Sequence, residues 1–368
     1  MSIFEKILVI IDFDEEEQVA LKRTLDMHHK PGTEIMLFSN IYQASIEANF
    51  MLDPENIVGV KTAMIEYQNT RLNKLIADNK QANISFIANT VWMESEHISE
   101  LSVIEEFKPD LLVKSNRPQK NLSRWLFASS DAQLLKACPC PILFVSNSEL
   151  GVSKSVLAAI DPTEPLSKQQ GLDQDILEAA HYIANDVGFS LHCCHCFDPS
   201  FWEIFVKTLK STRLMGDFYP DKIDNETGDK TAFLELQTQH QTQFNEACEQ
   251  WISDTKNKHF LHGSASEEIP KLASNIQASM IVIGSTNRTG LLGSTAESIL
   301  DTIELDLLVI KPASFKSTKV KKLVKQTDEC KQRVRARFTS GGQVERVNTR
   351  EKLKARRASA LAANQKRD

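Results

Sequence analysis

The chain reads almost the same way twice. Near its start, Val9-Ile10-Ile11 runs into Asp12, and roughly 150 residues later Val156–Ile160 runs into Asp161. The correspondence continues. Leu172–Val187 matches the helical stretch 15–29, and Phe189–Phe197 matches the strand-like Glu34–Ile41. Residues 232–257 match the long helical stretch 55–78, and His259–Leu261 matches Ile84–Val91. Glu267–Gln277 matches residues 95–107, Met280–Ile283 matches Leu111–Val113, and Leu307–Ile310 matches Ile142–Val145. The strand candidates are short, continuous and β-branched, the pattern of strands buried on both faces. Helical stretches alternate with them, which predicts parallel strands joined by helical crossovers. The expected fold class is therefore α/β, with two tandem doubly wound five-stranded parallel sheets flanked by helices. The expected domains are 1–148 and 149–314, the second carrying an insertion over 198–230, followed by a tail over 315–368.

Charge divides the chain at the same place. The net charge of −6 conceals a tail, 315–368, with 17 basic and five acidic side chains, against a body with 26 basic and 44 acidic ones. An acidic body with a basic tail is two kinds of object. A hydrophobic fraction of 41% is enough to pack a core, which excludes an intrinsically disordered body. No apolar run approaches the ~20 residues that span a bilayer. The run Ile7–Ile11 is too short for a signal peptide and meets Asp12, Asp14, Glu15, Glu16 and Glu17. Seven cysteines in a chain this long read as reduced thiols. Together these suggest a cytoplasmic protein.

Several stretches carry ligand-type residues. Leu191-His192-Cys193-Cys194-His195-Cys196 is the richest. On a strand, His192, Cys194 and Cys196 share one face, and a metal reading would combine Cys194 and Cys196 with His259 or His262 of the next strand. A buried strand cannot fold its ligands around an ion as a turn does, so core packing is the favoured reading. Cys138-Pro139-Cys140-Pro141 has neither redox nor zinc spacing and reads as the approach to an edge strand. The insertion mixes Phe201, Trp202, Phe205 and Leu209 with polar residues, as extra cover or as a lid over an apolar ligand. In the tail, Arg333, Arg335, Arg337, Arg356 and Arg357 form basic stripes that would attract RNA, DNA or an acidic protein. The bland alternative is a tail lying on the acidic body.

One resemblance organises these features. Pro109-Asp110-Leu111-Leu112-Val113, Lys136-Ala137-Cys138-Pro139-Cys140-Pro141, Ile281–Gly290, Gly293–Leu300 and Asp306–Pro312, together with the strand-ending Asp12 and Asp161, resemble the universal stress protein family in its tandem form. The resemblance covers residues 1–314. It implies a sheet order of 3-2-1-4-5 in each half, and two domains packed like a dimer of single-domain members. Nucleotide-binding members of the family hold ATP at the carboxyl ends of the strands, so no cofactor is certain and ATP is the candidate. The family loop has Gly, two residues, Gly, nine residues, Gly, then Ser or Thr. Its glycines let backbone N–H groups approach phosphates. Carried over, these positions are Gly284, Asn287, Gly293 and Ser294, with Asp161 near the nucleoside. Here Asn287 stands where the second Gly belongs, and only Arg288–Leu292 separates it from Gly293. The equivalent first-half stretch, Lys114 through Ser129, has no glycine. No phosphate-loop lysine motif, nucleophile elbow or zinc-protease helix occurs. The sequence thus points to a stress-response protein that binds a small ligand, nucleotide or apolar, instead of catalysing a reaction. Slow ATP hydrolysis is the enzymatic alternative, and a scaffold with a polyanion-binding tail is the other.

Overall fold

The computed structural model describes residues 4–47, 54–116, 130–146, 154–163, 171–200, 226–285 and 294–312. All of them lie within one compact unit, Met1–Ser317. The first half contributes β1 (Lys6–Ile10), β2 (Thr33–Ile41), β3 (Ile84–Trp92), β4 (Leu111–Ser115) and β5 (Ile142–Val145). Between them lie α1 (Val19–Asp26), α2 (Ala44–Glu47), α3 (Pro54–Asp78), α4 (Glu96–Phe107) and α5 (Ser130–Ala137). The second half contributes β6 (Ser155–Ala159), β7 (Ser190–Phe197), β8 (Lys258–His262), β9 (Met280–Gly284) and β10 (Asp306–Ile310). Its helices are α6 (Leu172–Val187), α7 (Glu226–Glu249), α8 (Ala265–Asn275) and α9 (Ser294–Thr302).

Each half has the order 3-2-1-4-5, with every neighbour inside a half parallel. The inner strands follow from their composition. Every residue of β4, β5 and β10 is buried, as are the last four of β1, which suits apolar runs covered on both faces. The outer strands β3 and β8 carry the more exposed patterns. α6 ends where Gly188 takes a left-handed backbone, φ +70°, and its N–H bonds Ala184 O and Asn185 O. Glycine makes that conformation cheap at a helix end.

Two expectations need correction. The helical stretch expected over 15–29 starts later, because Asp12–Glu17 forms a turn, with Glu15 N–H donating to Asp12 O at 3.2 Å, and α1 begins at Val19. And β5 is not an edge strand. It pairs antiparallel with β10, setting Phe144 against Leu307, Leu143 against Leu308 and Ile142 against Val309. The two five-stranded halves therefore join into one ten-stranded sheet. An all-buried apolar strand with unpaired backbone groups would be a sticky edge, and the seam removes both such edges at once.

The core crosses the seam as well. A single apolar cluster runs from Ile7, Val9 and Val113 through Leu143 and Val145 to Leu308, Val282 and Val156. Polar contacts reinforce it. Buried Asp306, after α9, meets Arg23 of α1 and accepts from Ser146 N–H at 3.0 Å. Asn116 Nδ2 reaches Leu300 O at 3.4 Å, and buried Lys311 donates to Leu135 O. Because the seam is antiparallel, the carboxyl ends of the two sets of parallel strands lie at opposite edges of the sheet. Among the described residues, no helix is long and apolar enough to cross a membrane.

Candidate functional site

In an open α/β sheet, ligands gather beyond the carboxyl ends of the central strands. In the second half that place is the end of β6, where Ile160 and Asp161 leave the sheet. Asp161 is half-buried. Its Oδ1 accepts from Thr163 Oγ1 at 2.9 Å, and its own N–H donates to Asp173 Oδ1 at 3.2 Å. These bonds turn the chain away from the strand and leave the carboxylate at the mouth of a cavity of about 210 Å³. Asp161, His195, Cys194, Cys196, Gly284 and Thr295 are among its walls.

His195, on the strand face opposite Cys194 and Cys196, is the residue Asp161 meets. It is 2% exposed, and its Nδ1 lies 3.2 Å from Ile160 O and 3.6 Å from Asp161 Oδ1. Nε2 lies 3.1 Å from Nδ1 of His240, on α7. A carbonyl only accepts, so His195 Nδ1 carries a proton, and its Nε2 shares a hydrogen bond with His240 Nδ1. His240 stays neutral more readily than a free histidine, because burial disfavours its charge and His195 repels it. Phe244, one helical turn from His240, stacks on His195 with centroids 6.1 Å apart. The i, i+4 spacing of His240 and Phe244 was the available signal for this cluster. It passes unnoticed because α7 has almost no amphipathic stripe.

Gly284 has a packing reason to be glycine. A Cβ there would lie 2.9 Å from both Ile176 Cδ1 and Leu172 Cδ2 of α6. Asn287 and Gly293 fall outside the described residues. Ser294 opens α9, the helix that follows the loop. The site therefore brings Asp161, His195 and Gly284 to one cavity. The first-half counterpart, Asp12, lines a larger cavity of about 890 Å³.

The metal candidates do not converge. Register pairs His262 with Phe197 and Cys196 with Leu261, so His262 lies on the face opposite Cys194 and Cys196. Burial pushes the Cys196 thiol up to about 12 and also raises the Cys194 thiol, which favours the protonated, non-ligating form. Among the described residues, no group of three or more His, Cys, Asp or Glu is placed to hold a metal. On that same strand face His192 Nδ1 instead lies 3.0 Å from His259 Nε2, their rings stacked 5.3 Å apart. The insertion residues 201–225 and the tail arginines 333, 335, 337, 356 and 357 lie outside the described residues.

The universal stress protein family model matches residues 3–146 and again 154–311. Universal stress protein E of Photorhabdus laumondii is 26% identical over 321 residues, covering 86% of this chain and 97% of that one. Universal stress protein E of Escherichia coli K12 is 23% identical over 322 residues, with the same coverage. A crystal structure of a Pseudomonas aeruginosa protein of unknown function superposes with a TM-score of 0.57 at 22% identity, covering 89% of this chain and 98% of that one. A universal stress protein from Archaeoglobus fulgidus superposes at 0.53 and 16% identity, covering 84% and 97%. Two matched segments, one in each half of a seamed sheet, account for most of the sequence. The chain belongs to the universal stress protein family, as a tandem member similar to universal stress protein E.

Proposed function

We propose that the protein serves the stress response by binding a small ligand in its second half, without chemistry. The supporting observation is the cavity beside Asp161. Its carboxylate is the accessible polar group at the mouth, while the nearby ring, His195, has one nitrogen on Ile160 O and the other on His240. A histidine held this way is poorly placed to take a proton from a substrate. The cavity is smaller than the ~300–1,000 Å³ of typical ligand sites, so it would hold one part of a ligand. Gly284 on its wall and Ser294 flank residues 286–293, which the family resemblance assigns to the phosphates. ATP is the first candidate, with Asp161 at the ribose and Gly284, Asn287, Gly293 and Ser294 around the phosphates. The lost glycine and shortened loop argue for weak binding or for a ligand with fewer phosphates. An apolar molecule is the competing ligand.

Thermal unfolding with and without ATP-Mg, on the full chain and on residues 1–314, tests this reading. A ligand that binds only the folded form raises the melting temperature. A rise in both proteins, removed by Asp161→Ala, supports a nucleotide. No rise in either removes it. Phosphate release that Asp161→Ala abolishes would move the protein to the enzymes.

The charge split favours a second reading, in which the +12 tail docks RNA, DNA or an acidic protein through Arg333, Arg335, Arg337, Arg356 and Arg357. Retention of nucleic acid at low salt by the full chain but not by residues 1–314 supports it, and equal behaviour of the two ends it.

A further inference from the structure

The first-half cavity differs from its second-half counterpart in size and in charge. Its roughly 890 Å³ lie beyond the carboxyl ends of β1 and β2, beside α3. Among the described residues, five carboxylates line it, those of Asp12, Asp14, Glu94, Glu96 and Glu100, and one cation, Arg71.

Glu100 forms part of the floor and is 0% exposed. Its Oε1 accepts from Lys114 Nζ at 2.8 Å, and the same ammonium also meets Glu96 at 3.0 Å and Asp131 at 3.1 Å. The other oxygen, Oε2, is buried with no hydrogen-bond partner. Asn40 repeats the pattern on the wall. Its Nδ2 donates to Met93 O at 2.9 Å, while its Oδ1 is buried and unpartnered. A buried acceptor without a donor carries a desolvation penalty that an incoming donor relieves. Above pH 7, where Glu100 is ionised, both of these orphans are acceptors, and both residues line the same cavity. The charge balance agrees, since one lysine faces three carboxylates. Burial, opposed by Lys114, holds the Glu100 carboxyl up to about 7.

The walls add a second preference. The Arg71 guanidinium lies 3.8 Å from the Phe13 ring centroid and 6.0 Å from that of Tyr67. These rings already serve as a surface for a cation. A phosphate here would meet like charge from several sides. The matching ligand has the opposite character, with several N–H donors, positive charge and a slim apolar body.

We infer that the first-half cavity binds a small alkyl polyamine, its ammonium groups on Glu100, Asn40, Asp14 and Glu94 and its methylenes along Phe13 and Tyr67. The two halves would then be sites of opposite charge preference. This inference stands apart from the nucleotide reading, because it concerns the other end of the sheet.

Calorimetric titration of the full chain with spermidine, at pH 8 and physiological salt, tests it. The expected result is saturable one-to-one binding and a raised melting temperature. Asp14→Asn with Glu94→Gln, both at exposed positions, should weaken binding about tenfold or more while leaving the free protein's melting temperature unchanged. Glu100→Gln should weaken it further, and Asp161→Ala should leave it intact. The double variant decides the matter if Glu100→Gln folds poorly. No saturable binding, equal binding of magnesium ion at matched ionic strength, indifference to the double variant, or ATP binding that Asp12→Ala removes would each overturn the inference.

Discussion

At Gly284 a hydrogen atom stands where any other residue would place a carbon. Alanine there would push its Cβ to 2.9 Å from Leu172 and Ile176, and overpacking of this kind costs about 1–3 kcal/mol. Gly284→Ala should therefore lower the urea midpoint even with no ligand present. An unchanged midpoint would show that α6 yields easily. In the sequence, only the family resemblance spoke for this glycine, by assigning it to a phosphate loop. Its packing role was invisible there, because the atoms it makes room for lie more than a hundred residues upstream. Glu100 was silent for a similar reason: nothing in its neighbours in sequence announces Lys114 on the adjoining strand. Its carboxyl sits at about 7 in the folded chain against 4.5 for the ordinary group. A carboxyl raised by folding takes up its proton first in the folded state. Its contribution to stability therefore grows as pH falls through 7 toward 4.5. Denaturation of wild type and Glu100→Gln at pH 8 and pH 5.5 should show a smaller gain on acidification in the variant. Parallel pH dependences would rule Glu100 out as the source.

At the scale of elements, strand positions were legible because buried parallel strands declare themselves as unbroken apolar runs. The seam was not. Nothing in Ile142–Val145 or in Asp306–Ile310 distinguishes a strand that ends a sheet from one that meets a partner across it. The one hint was Asp306, a carboxylate at the head of an apolar strand. Its value is clear only with Arg23 and Ser146 N–H beside it. Burial, opposed by Arg23, holds this carboxyl up to about 6. Removing one partner of a buried ion pair strands the other, and Arg23→Ala should cost about 3–5 kcal/mol near neutral pH. Without Arg23 the carboxyl rises further. The folded variant then takes up a proton that the unfolded chain does not, and stability returns as pH falls. Urea unfolding at pH 8 and pH 5.5 should show the deficit shrinking on acidification. A deficit independent of pH would assign the loss to packing.

At the scale of the whole molecule, the seam decides how the halves unfold. Backbone pairing, a shared apolar cluster and the Arg23–Asp306 contact all cross it, so separating the halves would expose two apolar strand edges at once. Calorimetry of the full chain should give one cooperative transition for the two halves, and two resolved transitions would sink this coupling. The duplication was readable from residue order alone. That the first-half cavity is rich in carboxylates required the folded arrangement, which gathers Asp12 and Asp14 from beyond β1, Glu94 from beyond β3 and Glu100 from α4.

The antiparallel seam has one more consequence. In a symmetric pair of identical chains, every substitution is inherited twice, so a change that suits one pocket alters its twin. Here the partner is the other half of the same polypeptide, and each pocket can drift alone while the interface between them is kept. Since the two cavities lie at opposite ends of the strands, a ligand in one would leave the other open. Two halves of one backbone plan thus carry cavities that differ in size and in charge.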